Sequence, residues 1–221
     1  MSRGRTGIVT ISAHPTTLVL DFDGTITEND LLDRIARELG DPDVYQEVED
    51  GLHAGTITLQ ECIVREYEPV TLPLDEAVAW MLDRVRVRAG LQELVELARG
   101  KGWPVVVLSS GFEEFIRPVL AAAGIDGVEI IANSVDARPD GWRVHWREEV
   151  LCATCGEACK RGGLPVEGEV VYVGDGISDR CAAQASDRIF ATRGLARYLD
   201  QHGVPYEPFG DFHDIVRALR G

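Results

Sequence analysis

Two carboxylates stand two positions apart, at Asp21 and Asp23, where an apolar run beginning at Leu18 meets a glycine turn at Gly24. That spacing suits phosphoryl transfer. A buried strand delivers its last side chains to the carboxyl edge of a sheet, where open α/β folds bind ligands. One acid there can attack phosphorus while the other moves protons. An Asp-Gly turn after a strand is common when it stands alone. Here three further segments accompany it in chain order. Val105 to Phe112 is a second apolar strand, ending in the hydroxyls of Ser109 and Ser110 beside Gly111. Lys160 follows a cysteine-rich loop, and Glu169 to Asp179 is a third strand that ends in Asp175 and Asp179. Singly, Ser109 reads as a helix cap, Lys160 as a solvated charge and Gly174 to Gly176 as a turn; together, at strand ends, they read as one site.

Those residues need a sheet to bring them together. Thr16 to Phe22, Val105 to Leu108, Val128 to Ala132, Val170 to Val173 and Arg188 to Ala191 read as strands with helical stretches between several of them. This alternation predicts an α/β fold, a doubly wound and mostly parallel sheet. From Asp30 to Val87 apolar residues instead recur at helical spacing, punctuated by Pro42, Gly55 and the stretch from Pro69 to Pro73. More than one crossover is needed to use so many residues. The pattern predicts an inserted cap of about four short helices over 28–87, within a catalytic core made of 1–27 and 88–221. Arg138 to Gly141 is a turn sequence between two strand-like runs, which predicts a hairpin at the sheet edge. Asp211 to Leu219 reads as a closing amphipathic helix.

Composition sets limits. With 221 residues, 45% hydrophobic and 27% charged, the chain suits one large core plus a modest accessory unit. No apolar run is long enough to span a bilayer, and Met1 to Pro15 lacks the hydrophobic segment of a secretion leader, so a cytoplasmic location is expected. A net charge of −15 argues against nucleic acid and anionic membrane as partners. The expected partner is a small-molecule phosphate ester, with the protein a monomer or homodimer. Carboxylates at Asp21, Asp23, Asp175 and Asp179 would repel one another without a divalent cation, and hard oxygen donors point to Mg²⁺. The 22 basic residues include only two lysines, at 101 and 160. Lys101 sits in a solvent-facing stretch, which leaves Lys160 for the site.

From about Thr17 to Thr192 these segments resemble, in order, the haloacid dehalogenase (HAD) superfamily of aspartyl phosphatases. Ser109 to Phe112 reads Ser-Ser-Gly-Phe. It is similar, in all but one residue, to the Ser-Gly-Gly-Phe/Met of subfamily IB. That branch holds phosphoserine phosphatase, the methionine-salvage enolase-type phosphatase and the phosphoethanolamine/phosphocholine phosphatases; Cys159-Lys160 matches a Cys-Lys of the last two. The resemblance implies Asp21 as nucleophile and Asp23 as general acid and base. It implies Mg²⁺ on Asp21, Asp175 and the backbone carbonyl of Asp23, supported by Asp179 through water. Ser109, the backbone around Ser110 and Gly111, and Lys160 would bind the phosphoryl oxygens. A phosphotransferase or mutase of the same superfamily, and phosphoserine as the substrate, are the alternatives.

Substrate selectivity has three candidate residues. Asp30 falls where the phosphoserine branch has an acid that reads an amine, and Arg65 lies one residue from that branch's cap arginine. Glu28 and Asp30 read equally as capping and dipole-complementing groups of the first cap helix. A separate cluster, Cys152, Cys155 and Cys159 with His145 upstream, has spacing suited to a structural Cys₃His Zn²⁺ site. Free thiols are the other reading, because Cys62 and Cys181 show that the chain tolerates them.

Overall fold

The computed structural model describes residues 16–147, 150–157 and 159–221. Seven strands form one sheet in the order β4-β3-β2-β1-β5-β6-β7. They are β1 (Thr17–Leu20), β2 (Val105–Phe112), β3 (Glu129–Arg138), β4 (Gly141–His145), β5 (Val170–Gly174), β6 (Arg188–Ala191) and β7 (Glu207–Pro208). All neighbours pair in parallel except β3 and β4, which form the antiparallel edge hairpin. The valine-rich central strands are buried on both faces, as a sheet covered on both sides requires.

Side-chain alternation divides the core in two. Leu18, Leu20, Val105, Val107, Val171 and Val173 point to one face, and Val19, Val106, Leu108, Val170 and Tyr172 to the other. On the first face lie α5 (Leu91–Gly100), α6 (Glu113–Ala122) and α9 (Phe212–Arg220). The second is covered by α7 (Arg180–Ala183) and α8 (Arg193–His202). Register then levels the strand ends. Leu20 lies opposite both Val107 and Val173, so the residues following β1, Leu108 and Gly174 emerge side by side at the carboxyl edge.

Between β1 and α5 the chain forms α1 (Leu31–Leu39), α2 (Pro42–Ala54), α3 (Leu59–Tyr67) and α4 (Leu74–Leu82). Asp30 caps α1, Asp41 caps α2 with Pro42 in its first turn, and Thr58 with Glu61 makes a capping box on α3. The chain leaves and returns through adjacent crossings. Thr27 bridges Val87, Glu28 N–H donates to Arg86 O at 2.8 Å, and Arg88 N–H donates to Ile26 O at 2.8 Å. The helices are not detached from the sheet. Tyr67 stacks on Trp142 and meets Phe112 edge-on, while Trp142 Nε1–H donates to Leu72 O at 2.9 Å. The hairpin therefore supports α3 and the loop before α4 with a polar-tipped aromatic, a role that suits tryptophan.

Two local expectations change, and one strand adds to them. The first strand stops at Leu20, because Phe22–Ile26 closes a wide helical turn: Thr27 N–H returns to Phe22 O at 3.0 Å and Gly24 adopts φ +74°. The strand read over Val128 to Ala132 continues to Arg138 as β3, whose first half pairs with β2 and whose second half pairs with β4. β7 has two residues, too few for any periodic signal. Among the described residues no helix is long and apolar enough to cross a membrane. The segment Met1 to Pro15, read above for a leader, lies outside them.

Candidate active site

Asp21 follows directly on the innermost strand, and Asp23 lies in the turn behind it. Asp21 is buried and lines a cleft of about 490 Å³ between the sheet edge and helices α2 and α3. Lys160, itself 1% exposed, opens a short helical turn after the cysteine loop and ion-pairs with Asp21 and, at 2.7 Å, with Asp179. Burial disfavours the ammonium, but these two carboxylates together outweigh it and raise Lys160 above its ordinary range. Asp21 is pushed well up by burial, then by Asp179, against the pull of Lys160.

Asp179 is fully engaged by the protein. One oxygen accepts from Lys160 and from Tyr172 Oη–H at 2.7 Å; the other accepts the N–H groups of Asp175 and Gly176, both at 2.9 Å. The spacing of four between Asp175 and Asp179 would place them on one face of a helix. Instead the turn Ile177–Asp179 is tight and folds Asp179 back onto the strand end. Asp175 accepts from Thr25 Oγ1–H at 3.1 Å and meets Arg193 at 3.5 Å. Its carboxyl is raised by burial and then by Asp179.

Carboxylate oxygens of Asp21, Asp175 and Asp179 lie within 4.8 Å of one another. Three like charges at that separation, two of them with raised pKa, are a donor set that a cation would relieve, and all-oxygen chemistry fits a hard divalent ion. Because Asp179 already has four hydrogen bonds, Asp21 and Asp175 are the carboxylates free to bind directly. A side chain at Gly24 would put its Cβ 2.4 Å from Asp175 Oδ2, so glycine is required both for the turn and for this approach.

Asp23 sits apart from that trio. Its Oδ1 accepts from Leu31 N–H at 3.0 Å and Leu32 N–H at 3.3 Å, the first turn of α1. Burial, then the nearby Asp30 carboxylate, pushes Asp23 up to about 8, although those two N–H groups pull the other way. The third strand end is a bulge. Register between β2 and β3 shifts between Leu108 and Phe112, which makes Ser109, Ser110 and Gly111 a bulge within β2. Ser109 Oγ accepts Gly111 N–H at 2.9 Å, and Asn133 holds Ser110 O at 2.7 Å.

The remaining sequence candidates scatter. Asp30 caps α1 through Asp33 N–H at 2.9 Å while lining the cleft. Glu28 is exposed, and its backbone is engaged on both sides, the N–H by Arg86 O and the carbonyl by Arg193, while its carboxylate does not line the cleft. Arg65 lies on the outer face of α3, paired with Glu47 at 2.7 Å, and does not line the cleft. His145 is the exposed last residue of β4, across from Ser134, and does not join the thiols; Cys181 does. Sequence reading also passed over several supports. Arg88 donates to Thr25 O at 2.8 Å and Gly24 O at 2.6 Å, clamping the acidic turn from 63 residues away. Tyr172 and Glu66 were likewise unmarked. An inward residue on a strand and a glutamate on a helix carry no local signal of what they face.

Comparison with known proteins agrees with this geometry. Residues 18–184 match the model of the haloacid dehalogenase-like hydrolases. Among curated relatives, the 2-hydroxy-3-keto-5-methylthiopentenyl-1-phosphate phosphatase of Geobacillus thermodenitrificans is 30% identical over 210 residues, covering 92% of this chain and 94% of that one. The protein of the same name from Geobacillus kaustophilus is 29% identical over the same span. Among solved structures, a phospho-aspartyl intermediate analogue of phosphoserine phosphatase superposes with a TM-score of 0.68 at 18% identity, covering 94% of this chain and 99% of that one. A family model that spans the three site-bearing strand ends and a full-length relative at this identity lead to one conclusion: the chain belongs to the haloacid dehalogenase-like hydrolases, as one of its phosphatases.

Proposed function

We propose that this phosphatase hydrolyses a small phosphomonoester in two steps through a phosphoryl group carried on Asp21, with Mg²⁺ as cofactor. The observation that carries the reading is the meeting of Asp21 and Asp175 at the ends of adjacent strands, facing one cleft, with the buried Lys160 paired to Asp21 behind them. Asp21 attacks phosphorus, and Asp23, protonated near neutral pH by its setting, donates to the leaving oxygen. The same carboxylate then accepts a proton from water as the acyl phosphate is hydrolysed. Lys160, Ser109 and the N–H groups of the bulge hold the phosphoryl oxygens. Mg²⁺, held by Asp21, Asp175 and the carbonyl of Asp23, would supply charge neutralisation at those oxygens. The helical insertion acts as the cap, shielding the reaction from water.

The cap side of the cleft bears on the alcohol. It combines the apolar Leu52, Leu59 and Ile63 with the acids Glu49 and Glu66, and among the described lining residues no arginine comes from α1 to α4. A carboxylate-bearing alcohol such as serine finds no guanidinium on that side, where His53 is the basic group among the described lining residues. The favoured substrates are phosphate esters of alcohols without a carboxylate, such as the methylthio-pentenyl ester after which the Geobacillus relatives are named, or phosphoethanolamine.

Release of inorganic phosphate from a panel of metabolite phosphates, with and without Mg²⁺ and with Asp21→Asn as blank, tests the reading. Asp21→Asn is expected to lose at least about three orders of magnitude in turnover while staying folded. An unaltered rate removes the mechanism, and phosphoserine as the best substrate removes the assignment of the alcohol.

A further inference from the structure

The cysteine loop serves no step of the proposed hydrolysis, yet its thiols converge. The Sγ atoms of Cys152, Cys155, Cys159 and Cys181 all lie within 4.8 Å of one another, and Cys152 Sγ is 3.8 Å from Cys181 Sγ. Four sulfurs around a zinc at the usual Zn–S length of about 2.3 Å are separated by about 3.8 Å along each tetrahedral edge. The set therefore needs only a small contraction to enclose an ion.

Backbone donors also converge on one of the four sulfurs. Cys152 Sγ accepts the N–H of Thr154 at 3.4 Å and receives a backbone hydrogen bond from Cys155. Two main-chain bonds, Cys152 N–H to Glu157 O and Gly156 N–H to Cys152 O, both at 2.8 Å, close the loop around that sulfur. Gly156, at φ +78°, makes the reversal that a side chain would strain. Backbone donors to sulfur stabilise the deprotonated form a metal requires. Positive charge is at hand as well, since Arg147 donates to Cys159 O at 3.3 Å.

We propose that Cys152, Cys155, Cys159 and Cys181 bind one structural zinc ion as a closed tetrathiolate site. Four sulfurs in tetrahedral disposition select zinc or iron over hard cations, and a closed set leaves no position for substrate. The ligands link two parts of the chain that the active site also needs. Cys159 directly precedes Lys160, and Cys181 follows Asp179 by two residues, so the ion ties together both ends of the Lys160–Asp179 pair. Its role is to hold the lysine turn against α7. This assignment does not depend on which phosphate ester is hydrolysed.

Metal analysis of protein produced in zinc-supplemented medium and purified without chelator tests the site. About one equivalent of zinc per chain is expected, together with a lower melting temperature once a strong chelator removes it. Exchange with Co²⁺ should give the visible bands and near-ultraviolet charge transfer of tetrahedral cobalt thiolate. Cys155 is exposed, so Cys155→Ser leaves the core intact and is expected to weaken retention of zinc at least about tenfold; Cys181→Ser should act in the same direction. Metal well below one equivalent with no cobalt–thiolate spectrum overturns the proposal, as does zinc content unchanged in both variants. Iron in place of zinc overturns the choice of metal.

Discussion

Asp23 Oδ1 accepts the backbone N–H of Leu31 at 3.0 Å, which fastens the proposed proton donor to the first turn of the first inserted helix. Helix N-termini favour negative charge, so this contact restrains a carboxyl that burial would otherwise raise further. It also makes the acid's orientation depend on the seating of α1. A displacement of the inserted helices would move the proton donor with them.

Replacing this acid should show a dependence on the leaving group. Asp23→Asn is expected to lower kcat by roughly 10² to 10⁴ for an alkyl phosphate. The loss for p-nitrophenyl phosphate, whose phenolate departs without a proton, should be much smaller. Steady-state rates with both esters check this, and equal losses would assign Asp23 a purely structural part.

Gly111 packs against the same carboxyl. A Cβ there would lie 2.8 Å from Asp23 Oδ2 and 3.2 Å from Ser109 Oγ. Gly111→Ala must therefore displace one of them. Turnover should fall on the order of tenfold to a hundredfold, as expected for small misplacements in a site, while circular dichroism and melting temperature stay near the parent values.

Lys160 stands between two buried acids, and its removal strands them. Lys160→Met should destabilise the protein on the order of 3 kcal/mol, since a buried charge is left without its partner. Adding Asp179→Asn removes one of the stranded charges and should recover part of the loss. Denaturant unfolding of the single and double variants provides the comparison; a double variant less stable than Lys160→Met would contradict the pairing.

Glu66 predicts how stability responds to pH. It is 6% exposed, Oε1 has no hydrogen-bond partner, and burial with help from Glu49 pushes its carboxyl up to about 8. An unfolded chain releases that proton at about 4.3. Between the two values the folded state holds a proton that the unfolded state does not, so this group's contribution is fully present below the lower value and is lost as pH rises through the upper one. In Glu66→Gln the loss disappears. The variant's melting temperature should gain on the parent by on the order of 5 °C between about pH 5 and about pH 8. A constant difference across that range would contradict the buried protonated acid.

Much of the fold was legible because its signals are local. Alternating apolar runs placed β1, β2, β5 and β6 within a few residues, helical spacing and capping residues outlined α1 to α4, and the turn at Arg138 to Gly141 marked the hairpin. The acids and the serines could be named from residue type and order alone, since strands that end at one sheet edge must present their last side chains together; Lys160, on a turn outside the sheet, was left once Lys101 was set in solvent. The choice among partners was not local. Which residue completes the cysteine cluster depends on the packing of α7 against the lysine turn, so Cys181 joins and His145 does not. Arg65 faces outward and Glu66 inward because adjacent residues on a helix point about 100° apart, a phase that only tertiary packing sets. The sequence by itself determined which side chains stand at the strand ends; the tertiary structure decided which charges meet there, because Asp21, Lys160 and Asp179 are joined by contacts across as many as 139 residues of chain.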